Sequence, residues 1–339
     1  MSGGPDARRI LVVLSEQERE LFFPGDLRQR LGALVPESRW KPPMETSAWR
    51  ELLHAEDPEI LLGAWSLPPI DGKLLAECPS LAFLCYVAGS LRSRIPRTYW
   101  QRGGVASNWG NVISNTVAEC ALTLALGCLR EAPRYCHGMH VEKIYPSRDC
   151  PPPRSLFNRR VGIHGFGNIA RALVKLLAPF EVSIEAWSVP VPPEVFAQTG
   201  VRQAASLLDL FANNDVVIDV EALTPESEGS VDESVIAALK PGAVFVNVGR
   251  GKVVDEAALA KRVVAGEISV GLDVYASEPL PADSPLRGLP NALLFPHTGG
   301  PTVDRYPACG RAALDNLDAF LAGRPLPQEF TLAMFDRAS

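Results

Sequence analysis

The sequence predicts an α/β protein built on parallel sheets and divided into two domains. Three observations predict it. Short apolar runs recur along the chain, each stopped by polar or turn residues, as strands buried on both faces are. Helical patterns separate most of them, so successive strands join through helices, the connection that parallel pairing requires. A length of 339 residues corresponds to about two domains.

The elements follow in order. Ile10 to Leu14, Ile60 to Trp65 and Leu81 to Val87 read as strands, the last running into Ala88-Gly89-Ser90. With helices between them, the first ~100 residues form a small α/β unit. Asn115 to Arg130 carries Ala and Leu at helical spacing and predicts a long helix. Ile144 to Ser155 is proline-rich and predicts a loop or linker. Arg160 to His164 is a strand, and Ala170 to Leu177 an apolar helix. Strand signals recur at Val182 to Trp187, Val216 to Val220, Ala243 to Val248, Ser269 to Val274 and Ala292 to Phe295. Pro190, Pro192 and Pro193 predict a stiff surface loop. No internal repeat or low-complexity tract is visible.

Composition narrows the function. Asp plus Glu outnumber Lys plus Arg by 39 to 33, giving a net charge of −6, and no long basic run occurs. Generic nucleic-acid binding is disfavoured. The seven cysteines, at 78, 85, 120, 128, 136, 150 and 309, are odd in number and form no CxxC pair. They read as small buried hydrophobes in a reducing compartment. The opening MSGGPDARRILVVLS lacks a secretory apolar stretch, and the longest apolar run, about Cys120 to Leu129, is too short to span a bilayer. A soluble cytoplasmic protein, off the membrane and without a metal site, is expected.

Gly165-x-Gly167-x-x-Ala170 follows a strand and opens a helix. The first Gly allows a tight turn, the second lets backbone approach a pyrophosphate, and the small third residue lets helix and strand pack closely. The helix N-terminus then offers free N–H groups and a positive dipole end. This pattern predicts a dinucleotide site. The same fingerprint expects an acid about 20 residues on, against a ribose 2′-hydroxyl. Ser188 stands there, followed by Val189 and Pro190 rather than an Arg, and Glu185 three residues earlier points elsewhere. The choice between NAD and NADP stays open. Further on, Arg250, Glu278 and His297 each follow a strand, at ends that can face one crevice. An Arg fork suits a carboxylate, and a His beside a carboxylate suits proton transfer.

These motifs resemble the D-isomer-specific 2-hydroxyacid dehydrogenases. The likeness runs through Gly165-Phe-Gly167-Asn-Ile-Ala170-Arg171, Leu223-Thr-Pro-Glu-Ser, Lys240 to Gly251, Val254-Asp255-Glu256-Ala-Ala-Leu259, Gly271-Leu-Asp-Val-Tyr-x-x-Glu-Pro and Pro296-His-Thr-Gly-Gly. It covers residues ~160 to 300 strongly and the N-terminal third weakly, through Val117-Ala118-Glu119 and the loop at 88–90. The resemblance implies a Rossmann-type, doubly wound cofactor domain at 116–302. It also implies a flavodoxin-like α/β substrate domain made of 1–115 and 303–339, with two helices forming a hinge for closure. It implies a homodimer and NAD or NADP as cofactor. The reaction implied is hydride transfer between a small-molecule 2-keto acid and a D-2-hydroxy acid.

Roles carry over residue by residue. Arg250 binds the substrate carboxylate and helps polarise the carbonyl. His297 passes the proton, and Glu278 pairs with it and keeps it protonated for reduction. Asp273 sits by the nicotinamide, and Gly165, Phe166, Gly167, Asn168 and Ile169 cradle the pyrophosphate. Ala88, Gly89 and Ser90 offer N–H groups to the substrate. Departures from the family are Ala170 for the third Gly, Ser188 for the ribose acid, and Val220 and Ala222 for a His and a Pro on the adenine side. Arg92 stands where an Asp is common, and reads either as a surface Arg or as a hint of a second anionic group on the substrate. Nucleotide-sensing corepressors and phosphite-type dehydrogenases share the triad and remain alternatives. Formate dehydrogenases carry Gln in place of Glu278.

Overall fold

Apolar strands buried on both faces pair in two all-parallel sheets. The computed structural model describes residues 8–145, 150–189 and 191–337. The chain divides into two compact units, residues 1–113 with 301–339, and residues 114–300.

The first unit holds β1 (Ile10–Val13), β2 (Trp40–Lys41), β3 (Ile60–Gly63), β4 (Phe83–Tyr86) and β5 (Val105–Ser107), in the order β2-β1-β3-β4-β5. This is the 2-1-3-4-5 order of flavodoxin-like sheets. Side chains alternate across β1. Leu11 and Val13 face a core with Trp49, Leu53 and Tyr99, whereas Ile10 and Val12 face one with Phe22, Leu314 and Leu317. The helix Tyr306–Leu321 supplies Leu314 and Leu317, so this sheet is covered by chain from both ends of the sequence.

The second unit holds β6 (Arg160–His164), β7 (Ser183–Trp187), β8 (Arg202–Gln203), β9 (Val216–Asp219), β10 (Val244–Asn247), β11 (Ser269–Leu272) and β12 (Ala292–Leu294). Their order is β12-β11-β10-β9-β6-β7-β8. Counted from β6, this is the doubly wound 3-2-1-4-5-6 arrangement with one strand added. The order reverses between β6 and β9, so both crossovers leave that point in opposite directions and open a crevice at the strands' C-terminal ends. Val217, Phe245 and Val270 bury one face of the sheet under Leu210, Phe211, Ile236, Leu259 and Val263. Each such side chain contributes about 1.5–3 kcal/mol when fully buried.

Several readings of the sequence need correction. Strands β2, β5 and β8 carry no apolar run, being two or three residues long, and all three lie at sheet edges. The glycine-loop helix starts at Asn168, two residues before Ala170. Pro193 opens a helix, Pro193–Ala197, rather than lying in a loop, because its fixed φ suits a first helical turn; Pro190 lies outside the described residues. The cysteines are free, but not all buried. Cys136 is exposed, while Cys120 and Cys150 are half-buried. No helix among the described residues is long and apolar enough to cross a membrane, and no cluster of metal-ligating side chains occurs among them.

Candidate functional site

The glycine turn joins β6 to the helix Asn168–Leu177. Gly165 has φ +88, and a Cβ there would lie 2.7 Å from the backbone of Glu221. At Gly167 a Cβ would meet nothing within 4 Å, so the backbone is bare toward open space. Gly167 is also the N-cap and gives no side-chain hydrogen bond to the first turn. By contrast Ser206, Asp232 and Asp255 each cap the helix they precede with a side-chain oxygen. The N–H groups of the glycine-loop helix are thus left for an external anion, and the turn fits a dinucleotide pyrophosphate. Asn168 is exposed and Ile169 half-buried at that end. Phe166 turns its ring inward against Phe196, 4.7 Å between centroids, so only its backbone borders the turn.

Polar residues close the strands on either side. Ser188, at the end of β7, is buried and donates from Oγ to Glu221 Oε2 at 3.2 Å. Glu185 points away, accepting from Asn214 at 3.1 Å and pairing with Arg202 at 2.7 Å. His164 and Asp219, the last residues of β6 and β9, are buried opposite each other, with Nδ1 and Oδ1 3.3 Å apart. Burial alone would lower the imidazole's pKa, but Asp219, with help from Glu221, raises it above its ordinary value. Sequence reasoning passed over His164, Asp219 and Glu221. The signal available was three polar residues ending two apolar runs that flank the turn. Ala222, expected on the adenine side, is exposed beside Glu221 and donates its N–H to Glu221 Oε1 at 3.1 Å.

Arg250, Glu278 and His297 all belong to this second unit. His297 Nδ1 lies 2.6 Å from Glu278 Oε2. The other Glu278 oxygen accepts from the Tyr275 N–H at 3.0 Å, which fixes the carboxylate on its loop. His297 sits at φ +55, a left-handed conformation, with its N–H donated to the Asp273 carbonyl at 2.8 Å. Asp273 is buried and spends both carboxylate oxygens on the same loop, accepting from Thr298 N–H at 2.7 Å and Gly299 N–H at 2.8 Å. Its visible work is holding the segment that carries His297.

Arg250 donates to the Gly249 carbonyl at 2.7 Å and forms no ion pair among the described residues. Burial lowers its pKa from the ordinary value, and the charge of nearby Glu278 offsets part of that. A largely desolvated guanidinium with no carboxylate partner among the described residues has donors free for an anion. The following Gly251 packs on the next loop, where a Cβ would stand 1.8 Å from the carbonyl carbon of Tyr275. That contact ties Arg250's turn to the Glu278 segment.

Within the first unit, Ala88, Gly89 and Ser90 follow β4. The Gly89 carbonyl accepts from Asn108 at 2.7 Å, and no acceptor among the described residues bonds the N–H groups of Ala88, Gly89 or Ser90. Arg92 is exposed and donates to the backbone carbonyls of Phe335 at 3.2 Å and Asp336 at 3.1 Å.

Comparison with known proteins accords with this geometry. Residues 122–299 match the model of the D-isomer specific 2-hydroxyacid dehydrogenase, NAD binding domain. The chain belongs to the D-isomer-specific 2-hydroxyacid dehydrogenases. The matched model is an NAD-binding domain, so membership brings a nicotinamide dinucleotide with it. Among curated relatives, a D-3-phosphoglycerate dehydrogenase of Mycobacterium bovis is 32% identical over 324 residues, 95% of this chain and 56% of the relative. The chain thus spans about half the length of such mycobacterial relatives. A glyoxylate/hydroxypyruvate reductase of Arabidopsis thaliana is 33% identical over 262 residues, 76% of this chain and 79% of the relative. The crystal structure of a glyoxylate reductase from Paecilomyes thermophila superposes with a TM-score of 0.81 at 23% identity. It covers 95% of this dehydrogenase-family chain and 98% of that one, a likeness of fold.

Proposed function

We propose that the chain interconverts a 2-keto acid and a D-2-hydroxy acid, with His297 as proton donor and acceptor, Glu278 as its partner and Arg250 as the carboxylate anchor. The observation that carries this is the 2.6 Å His297–Glu278 pair in the same unit as an Arg250 that has no ion-pair partner among the described residues. Arg250 holds the substrate carboxylate through two parallel hydrogen bonds and so fixes the neighbouring carbonyl. Glu278, on Nδ1, orients the imidazole and leaves Nε2 to exchange the proton. The bound dinucleotide supplies the hydride for C2 in reduction and takes it in oxidation. In reduction, Nε2 delivers its proton to the C2 oxygen; in oxidation it removes one. Glu278 balances the imidazolium charge in either direction. Asp273 keeps the His297 loop in place.

The test is loss of reduced-nicotinamide absorbance with purified protein, run with NADH and NADPH against glyoxylate, hydroxypyruvate, pyruvate, phenylpyruvate and 2-ketoisocaproate. We expect turnover with at least one acid. His297→Ala should bind dinucleotide as the parent does and lose turnover by about 10²–10⁴-fold, the usual contribution of a general acid. Full activity in that variant would sink the assignment.

A further inference from the structure

The ribose carboxylate missing at Ser188 is present in space. Glu221 follows β9, on the far side of β6 from β7, yet its Oε2 lies 3.2 Å from Ser188 Oγ. Its segment crosses the end of β6 because Gly165 has no side chain there; a Cβ would come within 2.7 Å of the Glu221 backbone. Gly249 permits the same on the other flank, where a Cβ would lie 2.7 Å from the Glu221 carbonyl oxygen. The Glu221 N–H is donated to Asp219 Oδ1 at 2.9 Å, and its side chain accepts from the Ala222 N–H at 3.1 Å. The carboxylate is therefore clamped where it stands. The charged groups around it are the buried His164–Asp219 pair, and no Lys or Arg among the described residues pairs with it.

We propose that Glu221 replaces the missing acid of β7 as the acceptor for the adenosine ribose 2′-hydroxyl, and that the site thereby selects NAD(H) over NADP(H). This rests on the dinucleotide-dependent reading above. A 2′-hydroxyl can donate to the carboxylate. A 2′-phosphate there brings like charge against like, with no Lys or Arg among the described residues paired to Glu221 to offset it. Ser188 holds the carboxylate in place, and Asp219 is a positioning residue for its loop.

The experiment is direct binding to the full chain, without substrate, followed by energy transfer from tryptophan to the reduced nicotinamide. We expect NADH to bind at least ~10-fold more tightly than NADPH. The gap should narrow as salt is raised, as screening of a charge repulsion requires. Glu221→Gln should bring the two affinities within about threefold, chiefly by tightening NADPH. Equal binding of NADH and NADPH by the parent chain, or an unchanged ratio in a Glu221→Gln protein that still binds NADH, would overturn the inference alone. Binding of neither dinucleotide by the parent chain would overturn this inference and the dehydrogenase reading together.

Discussion

Asp273→Asn separates two roles for one buried carboxylate. In the parent, both oxygens accept backbone N–H groups of the His297 loop, at 2.7 Å and 2.8 Å. The amide keeps the shape but has one oxygen, so one of the two N–H groups faces an NH₂ instead. Gly299 is buried, so water replaces a lost bond there poorly. A hydrogen bond to a charged group is worth about 1.5–3 kcal/mol, and relief from burying the charge returns part of it. We expect a net loss of about 2 kcal/mol, or about 4–8 °C in Tm for a unit of this size. Turnover should fall further than stability suggests, because a shift of about 1 Å in a reacting group can cost ~10²-fold. Dinucleotide affinity, measured by fluorescence, should change less than about threefold, since the glycine turn is untouched. Unchanged kcat would refute the positioning role. Lost dinucleotide affinity with kcat intact would return Asp273 to the nicotinamide.

Arg250→Lys keeps the charge but loses the planar fork, so KM for the keto acid should rise at least ~10-fold with dinucleotide binding unchanged; steady-state kinetics decide it. Gly251→Ala drives a Cβ to 1.8 Å from the Tyr275 backbone, which cannot yield as a side chain would, and should cost at least about 3 kcal/mol in a denaturant titration. His164 has a raised pKa in the fold, because Asp219 outweighs burial. Its contribution to stability is therefore full below the unfolded-state value of about 6.5 and is lost as pH rises through the folded value. Tm against pH should show this decline in the parent and not in His164→Asn.

The strands at the centres of both sheets were legible because they are buried on both faces and so are apolar throughout. Val244–Asn247 and Ser269–Leu272 lie inside longer apolar runs for that reason. Three of the four edge strands, β2, β5 and β8, offer no such run: Arg202–Gln203 is exposed and pairs with β7 on one side only. Arg250, Glu278 and His297 were legible as polar residues interrupting strand ends, in a spacing that resembles the family's. The carboxylate beside Ser188 was not, because it arrives from a different strand. Fingerprint reading follows the chain, whereas Glu221 reaches its neighbour across 33 residues of sequence. The contacts of Arg92 were out of reach for a similar reason, since its partners Phe335 and Asp336 lie more than 200 residues away.

The first unit draws its core from both ends of the chain, and this sets an order of events at the ribosome. Phe22 and Phe83 stay buried only when the helix Tyr306–Leu321 covers them, Phe83 stacking on Phe320 at 4.5 Å and Gly310 pressing on the Phe22 carbonyl. The N-terminal strands emerge first and must wait while residues 114–300, which form a compact unit of their own, are synthesised. At about 5–20 residues per second, that exposure lasts roughly ten seconds or more. Early-made apolar strands are therefore a burden on chaperones during synthesis, and chains stalled before residue 306 should aggregate through these strands.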